Sequence, residues 1–266
     1  MKFLNFIKTN ILIPFRDVIF PQLCFSCDAP LTSDENRICN ACWNSLEIIN
    51  ENDLTIKVLK SRFKESELID NFTTLYYFEP GGVLQKIAHS LKYESITNFG
   101  FELGKKIGEK IKSENIFNFD YIIPVPLHKI KERERGFNQS NFIANGIGKI
   151  LNKKIQSNFV LRNKNTVSQT KLNYSERKEN IENAFKINPK MSKFIGGKSF
   201  LIVDDVITTG STIKEVAKVL KNNGADLVFV ASTAVAKLAE NKNPSDFTEG
   251  NFVVAGAGLE PTTFGL

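Results

Sequence analysis

Long apolar runs are missing from this 266-residue chain, and with them any segment able to span a membrane. Met1–Phe20 comes nearest, but Lys8, Arg16 and Asp17 interrupt it, and its longest uncharged run is Thr9–Phe15. That run is too short for a signal-peptide core, so a cytoplasmic location is expected. The segment reads instead as an amphipathic helix, with Phe3, Phe6, Ile7, Asn10 and Ile11 on one side. Histidine is nearly absent, with two in the chain. One of them, His128, follows the Pro124-Val125-Pro126 turn and reads as structural rather than as a general base. Acids are scarce over residues 149–193, which hold three against eleven Lys or Arg. The whole chain carries a formal net charge of +6. This balance suits an anionic partner such as nucleic acid, and equally a solvated lysine-rich surface.

Cysteine is also scarce, but its placement is informative. All four lie in one short stretch, as Cys24-Phe-Ser-Cys27 and Cys39-Asn-Ala-Cys42, separated by eleven residues. Each pair offers two thiolates from one tight turn, and two such turns complete a tetrahedron around Zn²⁺. Disulfides or an iron–sulfur cluster are the alternatives. A loop this small has little core, so a structural zinc would supply much of its folding energy.

The most telling stretch is Ser199-Phe-Leu-Ile-Val-Asp-Asp-Val-Ile-Thr-Thr-Gly-Ser-Thr212. Phe200 to Val203 has the composition of a buried strand. Asp204 and Asp205 sit at its carboxyl end. Thr208, Thr209, Gly210, Ser211 and Thr212 form a loop of hydroxyls and small residues. A helix follows with Ile213, Val216, Ala217 and Leu220 on one face. Loop amides and a helix N-terminus attract phosphate. Paired carboxylates can accept hydrogen bonds from two ribose hydroxyls, and Gly210 permits close backbone approach.

These residues resemble the phosphoribosyl-pyrophosphate (PRPP) signature of type I phosphoribosyltransferases. The resemblance implies that Asp204 and Asp205 hold the 2′- and 3′-hydroxyls, that Thr208–Thr212 cradles the 5-phosphate, and that Mg²⁺ accompanies PRPP. Further segments narrow the family: His89-Ser-Leu-Lys92-Tyr93, Pro124-Val-Pro126-Leu-His128, Arg135-Gly-Phe-Asn-Gln139, and Arg162-Asn-Lys164-Asn-Thr166-Val-Ser-Gln169. After these come Arg177-Lys-Glu-Asn180 and Ala184-Phe185. In this order, behind four cysteines, the chain resembles the ComF family of competence proteins from about Phe20 to Ala234. That resemblance implies a pyrophosphate loop at Arg135 and Gly136, a phosphate contact from Lys92, and a flexible loop carrying Thr166, Gln169 and Arg177 that closes over PRPP. It names no catalytic residue.

The expected architecture is α/β: a type I phosphoribosyltransferase-like, mainly parallel sheet with flanking helices, plus a small N-terminal zinc module. The expected divisions are 1–50 for the N-terminal helix and zinc module, 51–70 for a linker, 71–235 for the phosphoribosyltransferase-like domain and 236–266 for a poorly ordered tail without a match in the family pattern. Strands are expected at Phe72–Phe78, Tyr121–Val125, Phe159–Arg162, Ala184–Ile187 and Asp226–Ser232. Helices are expected at Val83–Tyr93, Phe99–Ile111 and Ser140–Leu151, with Lys131–Ser140 as a loop and Gly224 capping the helix after the acidic pair.

Two functions follow from the resemblance. The first is binding of PRPP or a related ribose phosphate, together with handling of single-stranded DNA and contact with competence proteins during natural transformation. The second is a catalytically active phosphoribosyltransferase of nucleotide salvage. In such enzymes a covering segment binds the acceptor base. Residues 1–70 stand in that place, and no acceptor-binding pattern is legible in them.

Overall fold

A computed structural model describes residues 22–35, 37–79, 81–90, 96–115, 117–163 and 183–237. Its centre is a four-stranded sheet built from β1 (Asn71–Phe78), β2 (Tyr121–Pro124), β5 (Phe200–Ile207) and β6 (Val228–Ala236). The strand order is β1-β6-β5-β2, and every pairing is parallel. The two central strands read as near-continuous apolar runs because helices cover both faces of the sheet. Phe200 to Val203 is wholly buried, and so is every residue of β6.

One face carries α4 (Ile96–Glu114) and α6 (Gln139–Leu151), whose Ile107, Ile111, Ile143 and Ile147 pack on Ile122, Leu201, Val203 and Ala231. The two helices touch through glycine. A β-carbon on Gly104 would lie 2.1 Å from the Ile143 carbonyl oxygen, and one on Gly146 would lie 2.1 Å from that of Phe101. The opposite face carries α2 (Leu54–Ser66) and α7 (Ser211–Lys221), joined in one core by Ile56, Leu59, Phe63, Ile213, Val216 and Leu220. Smaller helices are α1 (Asn40–Asn44), α3 (Val83–Ser90) and α5 (Lys129–Arg135), and an antiparallel pair joins β3 (Val160–Arg162) to β4 (Phe185–Ile187).

The helix boundaries follow side-chain chemistry. The Asp53 carboxylate accepts from the Thr55 amide at 2.7 Å and opens α2. Asn138 opens α6, and Asn152 closes it in the left-handed conformation. At the amino ends of the strands, Asp70 accepts from the Val228 amide at 2.7 Å and Asp120 accepts from the Ser199 amide at 2.9 Å.

The structure departs from the sequence expectation in three places. Residues 51–70 are not a linker: α2 fills most of that span, and its Ile56, Leu59 and Phe63 are at most 2% exposed. Their spacing makes one apolar face inside a segment rich in Lys and Glu. The span Lys131–Ser140 is helical up to Arg135, where Gly136 (φ 77) terminates α5. The helix after the acidic pair is closed by Gly224 (φ 87) as expected: in the turn toward β6 the Gly224 amide donates to the Lys221 carbonyl at 3.0 Å and the Ala225 amide to that of Leu220 at 3.1 Å. That last strand runs Val228–Ala236, later than expected. The expected N-terminal helix and the tail from residue 238 lie outside the described residues. Among the described residues, no helix is long and apolar enough to cross a membrane.

Candidate functional site

The strand β5 delivers Asp204 and Asp205 to the carboxyl end of the parallel sheet, where open α/β sheets bind their ligands. The backbone fixes both carboxylates from within the strand. The Asp205 amide donates to Asp204 Oδ1 at 3.0 Å, and the Val206 amide donates to Asp205 Oδ1 at 2.8 Å. A third donor comes from α6, whose Ser140 hydroxyl lies 3.4 Å from Asp204 Oδ1. From β6, Thr233 Oγ1 donates to the Asp205 carbonyl at 2.6 Å. Burial, and then the charge of Asp205, hold the Asp204 carboxyl well above its ordinary range. Two adjacent acids thus stand ready to accept donors or a cation, either of which would relieve their repulsion.

Thr208, Thr209 and Gly210 turn the chain from β5 into α7. Thr209 Oγ1 and Ser211 Oγ share a hydrogen bond at 2.8 Å, and the Ser211 amide donates to Thr209 Oγ1 at 3.3 Å. Gly210 occupies the N-cap position with φ 77 and has no side chain to cap α7. This places the positive end of the helix dipole beside the acidic pair, flanked by hydroxyls. Gly210 is also required by packing, because a β-carbon there would come within 2.8 Å of the Phe63 ring. The segment expected as a linker is therefore what closes over the loop.

The four cysteines form the second constellation. Their sulfurs all lie within 4.8 Å of one another, with Cys24–Cys42 at 3.8 Å and Cys27–Cys39 at 3.7 Å. Four sulfurs about 2.3 Å from a tetrahedral Zn²⁺ are about 3.8 Å apart, so the donor set fits the ion. Burial opposes ionisation of Cys24, but hydrogen bonds from the Cys39, Ser26 and Cys27 backbone outweigh it and bring the thiol to about 6. Burial and the neighbouring thiols push Cys42 up to about 12. Four thiolates at these separations need a cation to coexist, which makes the cluster a structural metal site.

Around the cysteines pack Ile38, Leu31, Trp43, Val83, Phe99 and Phe137. Trp43 stacks on Phe99 with ring centroids 5.3 Å apart, and Lys106 lies 5.0 Å over its ring. The segment after α1 then runs beside the edge strand β1: the Ile49 amide donates to the Leu75 carbonyl, and the Tyr77 amide to that of Glu47. The cysteine module therefore covers a sheet edge as well as binding its ion.

The other expected residues are placed unevenly. Gly136 is exposed, with φ 77 and open space around its α-carbon. Arg135 ends α5, and its side chain lies outside the described residues. Lys92, Thr166, Gln169 and Arg177 also lie outside them; β3 and β4 bracket the latter three. Ser140 and Thr233 went unread in the sequence because they meet the acids across 64 and 28 residues, with no local motif.

Residues 143–259 match the phosphoribosyl transferase domain family, and residues 15–53 match the double zinc ribbon domain family. The first match continues to residue 259, into the 236–266 tail that is expected to have no match in the family pattern. It leaves out β1 and β2, which nonetheless pair with β6 and β5 in the same sheet. Sheet, acidic pair and cysteine cluster together define a phosphoribosyltransferase-type domain joined to a zinc ribbon.

Among curated proteins, the chain is 40% identical over 111 residues to the DNA utilization protein YhgH of Escherichia coli O6:H1, covering 42% of this chain and 47% of that protein. It is 36% identical over 115 residues to Competence protein F of Haemophilus influenzae, covering 43% and 50%. To the amidophosphoribosyltransferase of Saccharomyces cerevisiae it is 30% identical over 187 residues, covering 70% of this chain and 32% of the enzyme. The matched stretches span about half the length of the first two relatives. These relatives bear out the resemblance to the ComF family.

Proposed function

We propose that this protein binds PRPP or a related 5-phosphorylated ribose at the carboxyl end of its sheet and assists the handling of single-stranded DNA in competence. The observation that carries the reading is the acidic pair near the end of β5, followed after Val206 and Ile207 by a hydroxyl loop at the start of α7. In it, Asp204 and Asp205 accept the ribose 2′- and 3′-hydroxyls. Thr208, Thr209, Gly210, Ser211 and Thr212 hold the 5-phosphate through backbone amides and hydroxyls. Mg²⁺ suits the oxygen-rich surroundings of the sugar and the pyrophosphate. Gly136, already in a left-handed conformation, lets amides face the pyrophosphate, and Arg135 adds bidentate contacts. Thr166, Gln169 and Arg177 belong to the segment that closes over the ligand.

The DNA arm of the proposal is supported by the names of the relatives, a DNA utilization protein and a competence protein. It is also supported by the excess of Lys and Arg over residues 149–193. Contacts of this kind are to the backbone, independent of sequence and sensitive to salt. The role is placed in the cytoplasm, where incoming DNA is processed.

Titration of labelled single-stranded DNA at low and high salt tests the reading. Binding that falls steeply with salt is expected. Absence of binding at low salt would remove the DNA role, and release of pyrophosphate from PRPP on adding a base would put the salvage enzyme in its place.

A further inference from the structure

We infer that Ser140 is a positioning residue for the ribose-binding carboxylate of Asp204, held in place by Asn138; this rests on the ribose-phosphate reading above. Asn138 and Ser140 are buried, 6% and 4% exposed, at a helix terminus where polar side chains ordinarily meet water. Their hydrogen bonds explain the burial. Asn138 Nδ2 donates to the Val125 carbonyl at 2.9 Å, just past the end of β2. Asn138 Oδ1 accepts from the Ser140 amide at 3.2 Å, which orients the first turn of α6. The Ser140 hydroxyl then reaches Asp204 Oδ1 at 3.4 Å. The relay therefore runs from β2, through the cap of α6, to the acid on the neighbouring strand β5.

The chemical consequence concerns which oxygen meets the ligand. Asp204 Oδ1 already receives the Asp205 amide and the Ser140 hydroxyl. The carboxylate is therefore turned so that Oδ2 remains to accept a ribose hydroxyl. A hydroxyl donor also favours the ionised carboxylate beside the like charge of Asp205. At 3.4 Å the contact is long for a hydroxyl–carboxylate hydrogen bond. A cap that served only α6 would have no need of a hydroxyl at its second position, because the Asn138 side chain alone supplies the capping bond.

The relay separates two parts of the same ligand, and so can be tested. Ser140→Ala is expected to weaken ribose 5-phosphate binding by about tenfold, the worth of one hydrogen bond to a charged group. Its affinity for inorganic phosphate, which needs only the loop, is expected to stay at the wild-type value. Should Ser140→Ala fold poorly, Ser140→Cys keeps the shape with a weaker donor and is expected to lose ribose 5-phosphate selectively but less. Equal ribose 5-phosphate affinity in wild type and variant would overturn the assignment of Ser140 alone, as would parallel loss of both ligands. Wild-type protein that binds phosphate but gains nothing from the ribose would overturn the ribose-phosphate reading together with it.

Discussion

Phe63 lies against Gly210: a β-carbon on the glycine would meet the phenylalanine ring at 2.8 Å. A helix from the N-terminal third of the chain is thus pressed onto the loop that follows the acidic pair, 147 residues later in sequence. The contact ties the integrity of the loop to the docking of α2. Gly210→Ala is expected to lose about 1–2 kcal/mol of stability from its left-handed conformation alone, with the Phe63 contact adding to it. Phe63→Ala removes a buried ring and is expected to cost about 3–5 kcal/mol. Denaturant unfolding measures both, and a neutral Gly210→Ala would show that α2 does not bear on the loop.

Asp204→Asn removes one of two adjacent carboxylates. The ordinary Asp204 carboxyl titrates near 3.8, and in the folded protein it is raised well above that. The stability linked to its protonation is therefore fully present below the unfolded value and is lost as pH rises through the raised folded value. At neutral pH, Asp204→Asn is expected to stabilise the unliganded protein, by about 2–4 °C in melting temperature for each ~1 kcal/mol of relieved repulsion and desolvation. The gain is expected to vanish at acid pH. Melting curves across that range check it, and a variant less stable than wild type at neutral pH contradicts it.

Trp43, the chain's single tryptophan, stacks on Phe99 beside the cysteine cluster and so reports on the zinc ribbon. Chelation is expected to leave four clustered thiols, three of them buried, without their cation, loosen the ribbon and expose Trp43 to water. Its fluorescence maximum is expected to move to longer wavelength, with recovery on adding Zn²⁺. Since Phe137 next to Gly136 packs on the same cluster, the metal also supports the span after α5. A chelated protein with unchanged tryptophan emission would show that the ribbon does not depend on its ion.

Gly104 and Gly146 meet where α4 crosses α6, each too close to the other helix's backbone for a β-carbon. Gly146→Ala is expected to destabilise the fold by about 3 kcal/mol, because backbone rather than a flexible side chain would have to move. Urea unfolding checks the figure.

What was legible in the sequence was what is written locally. The apolar run Phe200–Val203 is buried on both faces of a parallel sheet, so its strand, the acids at its end and the helix after them could all be read in order. The cysteine spacing was equally local. The helix α2 was not read, because Ile56, Leu59 and Phe63 are diluted by Lys57, Lys60, Arg62 and Lys64, and only the neighbouring sheet gives their stripe a partner. The end of α7 was legible locally, because Gly224 takes the left-handed conformation that closes a helix and lets the Ala225 amide reach back to the Leu220 carbonyl. Ser140 carries no signal of its own, since its role exists only when α6 is brought against β5.

The most direct test is calorimetric titration of PRPP with Mg²⁺ into wild-type protein and into the Asp204→Asn, Asp205→Asn double variant, with inorganic phosphate as the control ligand. The account predicts saturable PRPP binding by wild type, a loss of tenfold or more in the double variant by removal of two charged acceptors, and unchanged phosphate binding. PRPP bound equally well by both proteins, or by neither, would contradict it.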